Sequence, residues 1–290
     1  MRRFLFSAGS LTVAALLLGG CTNTADTDPG DPTVKVANPS ALGTGNTNAQ
    51  LNDPTSPDVP VNNQMVTVTG SSFLWKDEYA ETPSASSVGS VYVEDFTASD
   101  AGGLPYSGML LFKSVYVPAS LQLSPGDVID FTGQYNDYAG PSTFLFPTGQ
   151  TEPEMNEPIV TFRFDYTPPA PAQVPVTDLQ DSFTLAGFQK GYKWISMLVT
   201  VQNLTTPGPP SQDGSGRISV FLTSDTSTQA IALDNELMAL DPTQFPMNTK
   251  LKSVTGIVTY FDAFHIAPRT PADIVFENPP PQGDAGADAQ

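Results

Sequence analysis

The chain has 290 residues, with 12 Lys and Arg against 30 Asp and Glu, a formal net charge of −18, one His and one Cys. At roughly 100–200 residues per domain, that length allows one large domain or two small ones. Apolar residues at 39% and aromatics at 10% suffice for a packed core. The acidic balance disfavours a general nucleic-acid binder, which offers phosphates a basic face. One cysteine excludes an intrachain disulfide, and one histidine excludes a centre built on two or three imidazoles. No motif names a reaction, so function must be approached through location and shape.

Arg2 and Arg3 precede an apolar run from Leu11 to Leu18. The run is too short to cross about 30 Å of hydrocarbon as a helix, so residues 1–20 read as a secretory signal peptide. Leu18-Gly19-Gly20-Cys21 resembles the lipobox of bacterial lipoproteins. The resemblance implies cleavage before Cys21, diacylglycerol thioether-linked to its thiol, and acylation of the new N-terminus. Several acyl chains, at about 0.8 kcal/mol per buried methylene, make such anchoring effectively permanent. The competing reading is a plain signal peptide followed by a free cysteine. Thr22 points to the outer membrane, since in Gram-negative lipoproteins Asp at that place retains the protein in the inner membrane. Removal of residues 1–20 takes away two arginines and no acid, which leaves −20.

Residues 21–58 form a lipidated, flexible tether: from Thr22 on they are mostly Thr, Asn, Asp, Pro, Gly and Ala, too poor in large apolar side chains to offset ordering entropy. Asp26, Asp28 and Asp31 lie close together, but their spacing is not that of an EF-hand. Residues 167–175 carry four prolines in nine positions, a stiff spacer. It separates segments 59–166 and 176–277, and residues 278–290 read as a disordered tail.

Both segments read as all-β, because alternating or β-branched runs recur between turn signals. The first offers strands at Gln64–Thr69, Ser90–Asp95, Gly108–Phe112, Val128–Gln134 and Thr143–Phe146, with Ile159–Phe164 a candidate sixth. The second offers Ile195–Gln202, Arg217–Leu222, Ala230–Leu233, Leu251–Tyr260 and Ala263–Ala267. Asn235–Leu240 is the one helix candidate, stopped by Asp241-Pro242. The segments read as copies of one plan: Val128–Tyr135 lies over Leu251–Val258, which superposes Thr132-Gly133 on Thr255-Gly256. Upstream, Gly108–Phe112 takes the place of Ile218–Leu222, and a fifth strand ends at Pro147 and Pro268.

Five strands with a glycine inside the long fourth suggest a small closed barrel, since that glycine suits a barrel corner. Gly-Asp-Val-Ile-Asp-Phe-Thr-Gly at 126–133 and Val-Thr-Gly-Ile-Val-Thr-Tyr-Phe at 254–261, with the Ile-Ala-Pro-Arg-Thr-Pro-Ala-Asp-Ile that follows at 266–274, resemble OB-fold modules of secreted bacterial proteins. The resemblance implies two tandem OB-like β-barrels and carries over no catalytic residue. Immunoglobulin-like β-sandwiches are the alternative that the same strand spacing permits.

Candidate chemistry is sparse. His265 alternates with Phe264 and Ile266 and reads as a hydrogen-bonded structural histidine, with no Gly-x-Ser-x-Gly elbow to serve. Acid groups at Asp77/Glu78/Glu81, Glu94/Asp95 and Glu152/Glu154/Glu157 read mostly as solvated loop charge; facing pairs would be needed for glycoside hydrolysis. Calcium held by Glu152–Glu157 is a further option, and the metal content is open. Segment 59–166 sets three bases against thirteen acids and segment 176–277 six against ten, so only the second could show a basic patch, around Lys190, Lys193 and Trp194. Trp75, Tyr79, Tyr92, Tyr106, Tyr135 and Tyr138 supply rings for a glycan, and Trp75 and Tyr79 are the candidates taken from this group. The loops Ala80–Gly89 and Thr205–Gly216 join strands one and two, where OB-like barrels border their ligand face. The expectation is a non-catalytic lipoprotein of the cell envelope, without cofactor, presenting two binding modules to a protein or polymer partner. A glycan- or calcium-dependent adhesion module and an accessory nucleic-acid module are the alternatives.

Overall fold

The computed structural model describes residues 45–77, 89–96 and 104–278, except positions 143, 215, 226 and 262. The signal peptide, Cys21, Tyr79, Glu78, Glu81 and residues 279–290 of the expected tail lie outside the described residues.

Strands dominate. The first unit contains β1 (Met65–Lys76), β2 (Val91–Asp95), β3 (Gly108–Phe112), β4 (Val115–Val117), β5 (Val128–Tyr138) and β6 (Glu152–Phe164). β1 pairs with β2, β2 with β3, and β1 with β5, all antiparallel. β6 then pairs antiparallel with β5 and parallel with β3, so five strands close into a barrel. Val68, Val93, Met109, Leu111, Ile129 and Met155 fill it. Closure removes the unpaired edges that an open sheet would leave, and it replaces the sandwich alternative with a barrel.

The second unit repeats the ring. Its strands are β8 (Leu198–Thr205), β10 (Ile218–Ser224), β11 (Ser227–Asp234), β12 (Lys250–Phe261) and β13 (Ala263–Ala267). β11 pairs parallel with β13, as β3 does with β6. The β8–β10 and β11–β13 sides are the shortest, each joined at two residue pairs. Short strands β7 (Ala172–Gln173), β9 (Ser211–Gln212) and β14 (Ile274–Phe276) extend this sheet.

Thr132-Gly133 and Thr255-Gly256 do occupy equivalent places on the fourth barrel strand. Thr132 Oγ1 bonds Thr67 Oγ1 on strand one at 2.8 Å, and Thr255 Oγ1 bonds Thr200 Oγ1 at 2.7 Å. Each glycine lies hard against strand five: a Cβ on Gly133 would sit 2.9 Å from Pro158 Cα, and one on Gly256 would sit 2.6 Å from the Ala267 carbonyl. Two other matches need correction. Gly108–Phe112 is a third strand whereas Ile218–Leu222 belongs to a second, and the fifth strand of the first barrel is β6, since Phe144–Phe146 run in a loop.

Helix also differs from expectation. Residues 235–240 are bends and coil, while α2 (Leu185–Tyr192) forms upstream. Thr184 caps it by accepting from Gly187 N at 3.0 Å, and Phe188 anchors it in the second core. The flexible stretch expected up to residue 58 ends sooner: α1 (Asn48–Asn52) docks on the first barrel. Leu51 is buried in that core, and Asp95 accepts from Asn48 N at 2.7 Å and Ala49 N at 2.9 Å. One leucine and a buried cap outweigh the polar composition around them. The proline run likewise ends inside the second unit, with Ala172 and Val174 buried in its core.

The two barrels are fused rather than spaced. Leu74, Tyr92 and Leu110 of the first form one buried cluster with Leu198, Leu237, Ile257 and Ala267 of the second. The Lys193 carbonyl accepts from Tyr106 N at 2.7 Å, and Leu198 N donates to Glu94 Oε2 at 3.3 Å. A Cβ on Gly108 would stand 2.3 Å from the Ile195 carbonyl oxygen, so the backbones meet where only glycine fits. The loop joining β5 to β6 places Phe146 in the second core, 5.0 Å from the Tyr260 ring, and Gln150 side-chain N–H donates to the Ser182 carbonyl at 2.9 Å. Among the described residues, no helix is long and apolar enough to cross a membrane.

Candidate functional site

Fusion of the barrels leaves a cleft of about 370 Å³ on one side of the seam, within the size range of small-molecule sites. β2, β5 and β6 supply one wall, with Tyr92, Tyr138, Glu152 and Glu154. Glu236, Arg217 and Phe261 come from the second barrel. The wall carboxyls at 152 and 154 share a side of β6 because a strand repeats every two residues. Pro153 and Glu154 do not break this strand: ten of its residues pair with β5.

The three carboxyls differ in their partners. Glu236 Oε1 accepts from the Tyr92 hydroxyl at 2.6 Å, a bond that ties the barrels together across the cleft. Burial raises the Glu236 pKa, and Asp234 adds to this, while Tyr92 and Arg217 pull it down. Asn136 Nδ2 donates to Glu154 Oε1 at 3.2 Å, and Lys113 offsets part of the burial that raises the pKa of that carboxyl. Glu152 is 7% exposed. Burial, then Glu236 and Glu154, push its carboxyl well above the ordinary range, and among the described residues no cation opposes them. Tyr92 is raised as well, by burial first and then by Glu236 and Glu152.

Behind Glu236 the polar chain continues. Asp234 Oδ1 accepts from Glu236 N at 3.1 Å, and His265 Nδ1 lies 3.3 Å from Asp234 Oδ2. His265 is therefore held in place on β13 beside a buried aspartate, as a structural histidine would be. The cleft joins a set of poorly compensated carboxyls to aromatic walls. It suits a ligand that offers hydrogen bonds or positive charge to the acids and a flat or alkyl face to the rings.

The residues expected from the sequence fare unequally. Trp194 is 9% exposed. Its indole N–H donates to Asp178 Oδ2 at 3.1 Å, and Lys193 Nζ pairs with that same oxygen at 3.0 Å. Asp178 thus engages both members of the expected basic and aromatic patch, and Trp194 faces the second core. Lys190 is exposed in the last turn of α2, where a cation suits the helix dipole. Trp75 lies in an open pocket of about 390 Å³ with Phe73, Lys76 and Tyr116, apart from the cleft. Glu152–Glu157 is a strand and not a calcium loop; Glu157 is exposed, and among the described residues no group of three His, Cys, Asp or Glu could hold a metal ion. Glu94 and Asp95 are buried, not solvated.

Glu236 is the member that sequence reading missed. It follows a strand in the other barrel, and only the seam brings it to Glu152. Compared with known proteins, the chain matches no family model and no curated protein.

Proposed function

We propose that this is a non-catalytic lipoprotein of the bacterial cell envelope, secreted and anchored through Cys21, in which two fused OB-like barrels present a binding cleft to a protein or extracellular polymer. The observation that carries the binding role is the cleft, where carboxyls from both barrels meet beside aromatic walls. The Leu18-Gly19-Gly20-Cys21 resemblance supports the anchor, and Thr22 supports the outer membrane. The ring of five strands with the third parallel to the fifth supports an OB-like reading. The strong acidity of the chain goes against a nucleic-acid partner.

A glycan-binding role is the second reading, favoured by the separate open pocket where the half-buried Trp75 and Tyr116 stand together. Rings of this kind stack on sugar faces.

Two measurements test the proposal. Metabolic labelling of the full chain in bacteria with an alkyne fatty acid is expected to label the wild type and leave Cys21→Ser unlabelled; equal labelling of both overturns the anchor. Thermal unfolding of the full chain against envelope polysaccharides, single-stranded oligonucleotides and calcium tests binding. A ligand at a hundred times its dissociation constant adds about 2.7 kcal/mol, a shift of several degrees. A shift that Tyr92→Phe reduces locates binding in the cleft, whereas a shift untouched by cleft variants and lost in Trp75→Ala moves it to the second reading.

A further inference from the structure

The cleft between the barrels holds a buried acid that the fold leaves without a partner among the described residues. The Glu152 carboxylate is more than nine-tenths buried, lines the cleft, and makes no hydrogen bond or ion pair with any described residue. An isolated buried carboxyl is costly unless something neutralises or pairs with it. Its nearest charged influences are Glu236 and Glu154, both of its own sign. The other charged groups in and behind the cleft are already engaged. Glu154 is held by Asn136, Glu236 by Tyr92, and Arg217 stands 5.8 Å from the Phe261 ring while attracting Glu236. Asp234 is drawn to His265. These carboxyls do not converge into a metal site, yet they share a cleft of about 370 Å³ with the rings of Tyr92, Tyr138 and Phe261.

We propose that the cleft binds a small organic ammonium ion, whose charged nitrogen sits between Glu152 and Glu236 and whose alkyl chain lies against the aromatic walls. The inference rests on the cleft being the binding site and adds the chemical class of ligand. An ammonium supplies up to three donors, which suits carboxyl oxygens from two walls. Desolvated aromatic faces favour cations and alkyl groups together. A neutral sugar would satisfy hydrogen bonds but would bring no opposite charge to Glu152.

The test is calorimetric titration of the full chain with 1,5-diaminopentane, spermidine, the neutral isostere 1,5-pentanediol and chitobiose, at pH 5.5 and pH 8. Burial raises the pKa of Glu152 and of Glu236, so lowering the pH favours their protonated forms and protons compete with the ammonium ion. Affinity for the amines is therefore expected to rise at least tenfold from pH 5.5 to pH 8, with no binding of the diol. Glu152→Gln is expected to weaken the amines at least tenfold. The same variant should unfold at a higher temperature than wild type, because it removes an uncompensated buried acid, so lost binding would not reflect misfolding. Chitobiose binding that Glu152→Gln abolishes, without amine binding, overturns the ammonium inference and leaves the cleft in place. Amine binding that is equal at both pH values, or unchanged in Glu152→Gln, overturns it too. Absence of binding by every probe, with ligands found only through Trp75, overturns both the inference and the cleft.

Discussion

Glu94 sits on β2 with no exposure, and its Oε2 accepts from Leu198 N of the opposite barrel at 3.3 Å, while Oε1 has no partner. Burial raises its pKa from the usual 4.5 to about 8, only partly offset by the Leu198 amide. A folded-state pKa above the unfolded one means that its contribution is fully present below the unfolded value and is lost as pH rises through the folded value. At about 1.4 kcal/mol per unit, the charge that the unfolded chain gains between pH 5 and pH 8 costs the fold as much as about 4 kcal/mol. Glu94→Gln keeps an acceptor for Leu198 N, and its amide meets the same unpartnered space as the acid hydroxyl. The variant should therefore match wild type near pH 5 and exceed it increasingly toward pH 8. Allowing for water reaching the seam, we expect the gap to widen by about 2–4 kcal/mol. Urea unfolding of both full-length proteins at half-unit pH steps reads this directly, with the cleft acids common to both. Parallel stability curves, or a variant that loses ground as pH rises, would refute the burial of an ionisable group in the seam.

Other perturbations separate the parts. Asp95 uses one oxygen for Asn48 N and the other for Ala49 N. Asp95→Ala should thus lose about 2 kcal/mol at pH 5 and expose residues 45–58 to protease, with Asp95→Asn intermediate because it keeps one acceptor. Gly108→Ala forces a Cβ to within 2.3 Å of the Ile195 carbonyl, which at about 2 kcal/mol or more should lower the melting temperature by roughly 5–10 °C. Gly208→Ala, with nothing within 4 Å of the added Cβ, is the matched control and should leave the melting temperature within a degree or two of wild type.

Much of the fold was legible because most strands are short apolar runs closed by turn residues. Gly108–Phe112 and Ala263–Ala267 could be read to the residue. β6 was hard to see because Glu-Pro-Glu-Met-Asn-Glu-Pro opposes strand propensity, and pairing with β5, β3 and β4 overrides it. α2 was hidden by two glycines. Gly187 packs against the Asp181 carbonyl and Gly191 against the Phe264 ring, where any side chain would clash, so helix propensity gave way to close approach. The site was half legible: Glu152 and Glu154 stand out as acids, but nothing local joins them to Tyr92 and Glu236. That union is a property of the seam. Trp194 and Lys193 show the converse, since the nearby Asp178 engages both.

Every proposal for the cleft requires the barrels to stay together. Differential scanning calorimetry of the full chain tests this most directly. A single transition is expected, with calorimetric and van't Hoff enthalpies equal, and Gly108→Ala should lower its midpoint. Two resolved transitions, of which only one responds to Gly108→Ala, would contradict a fused pair and with it the cleft.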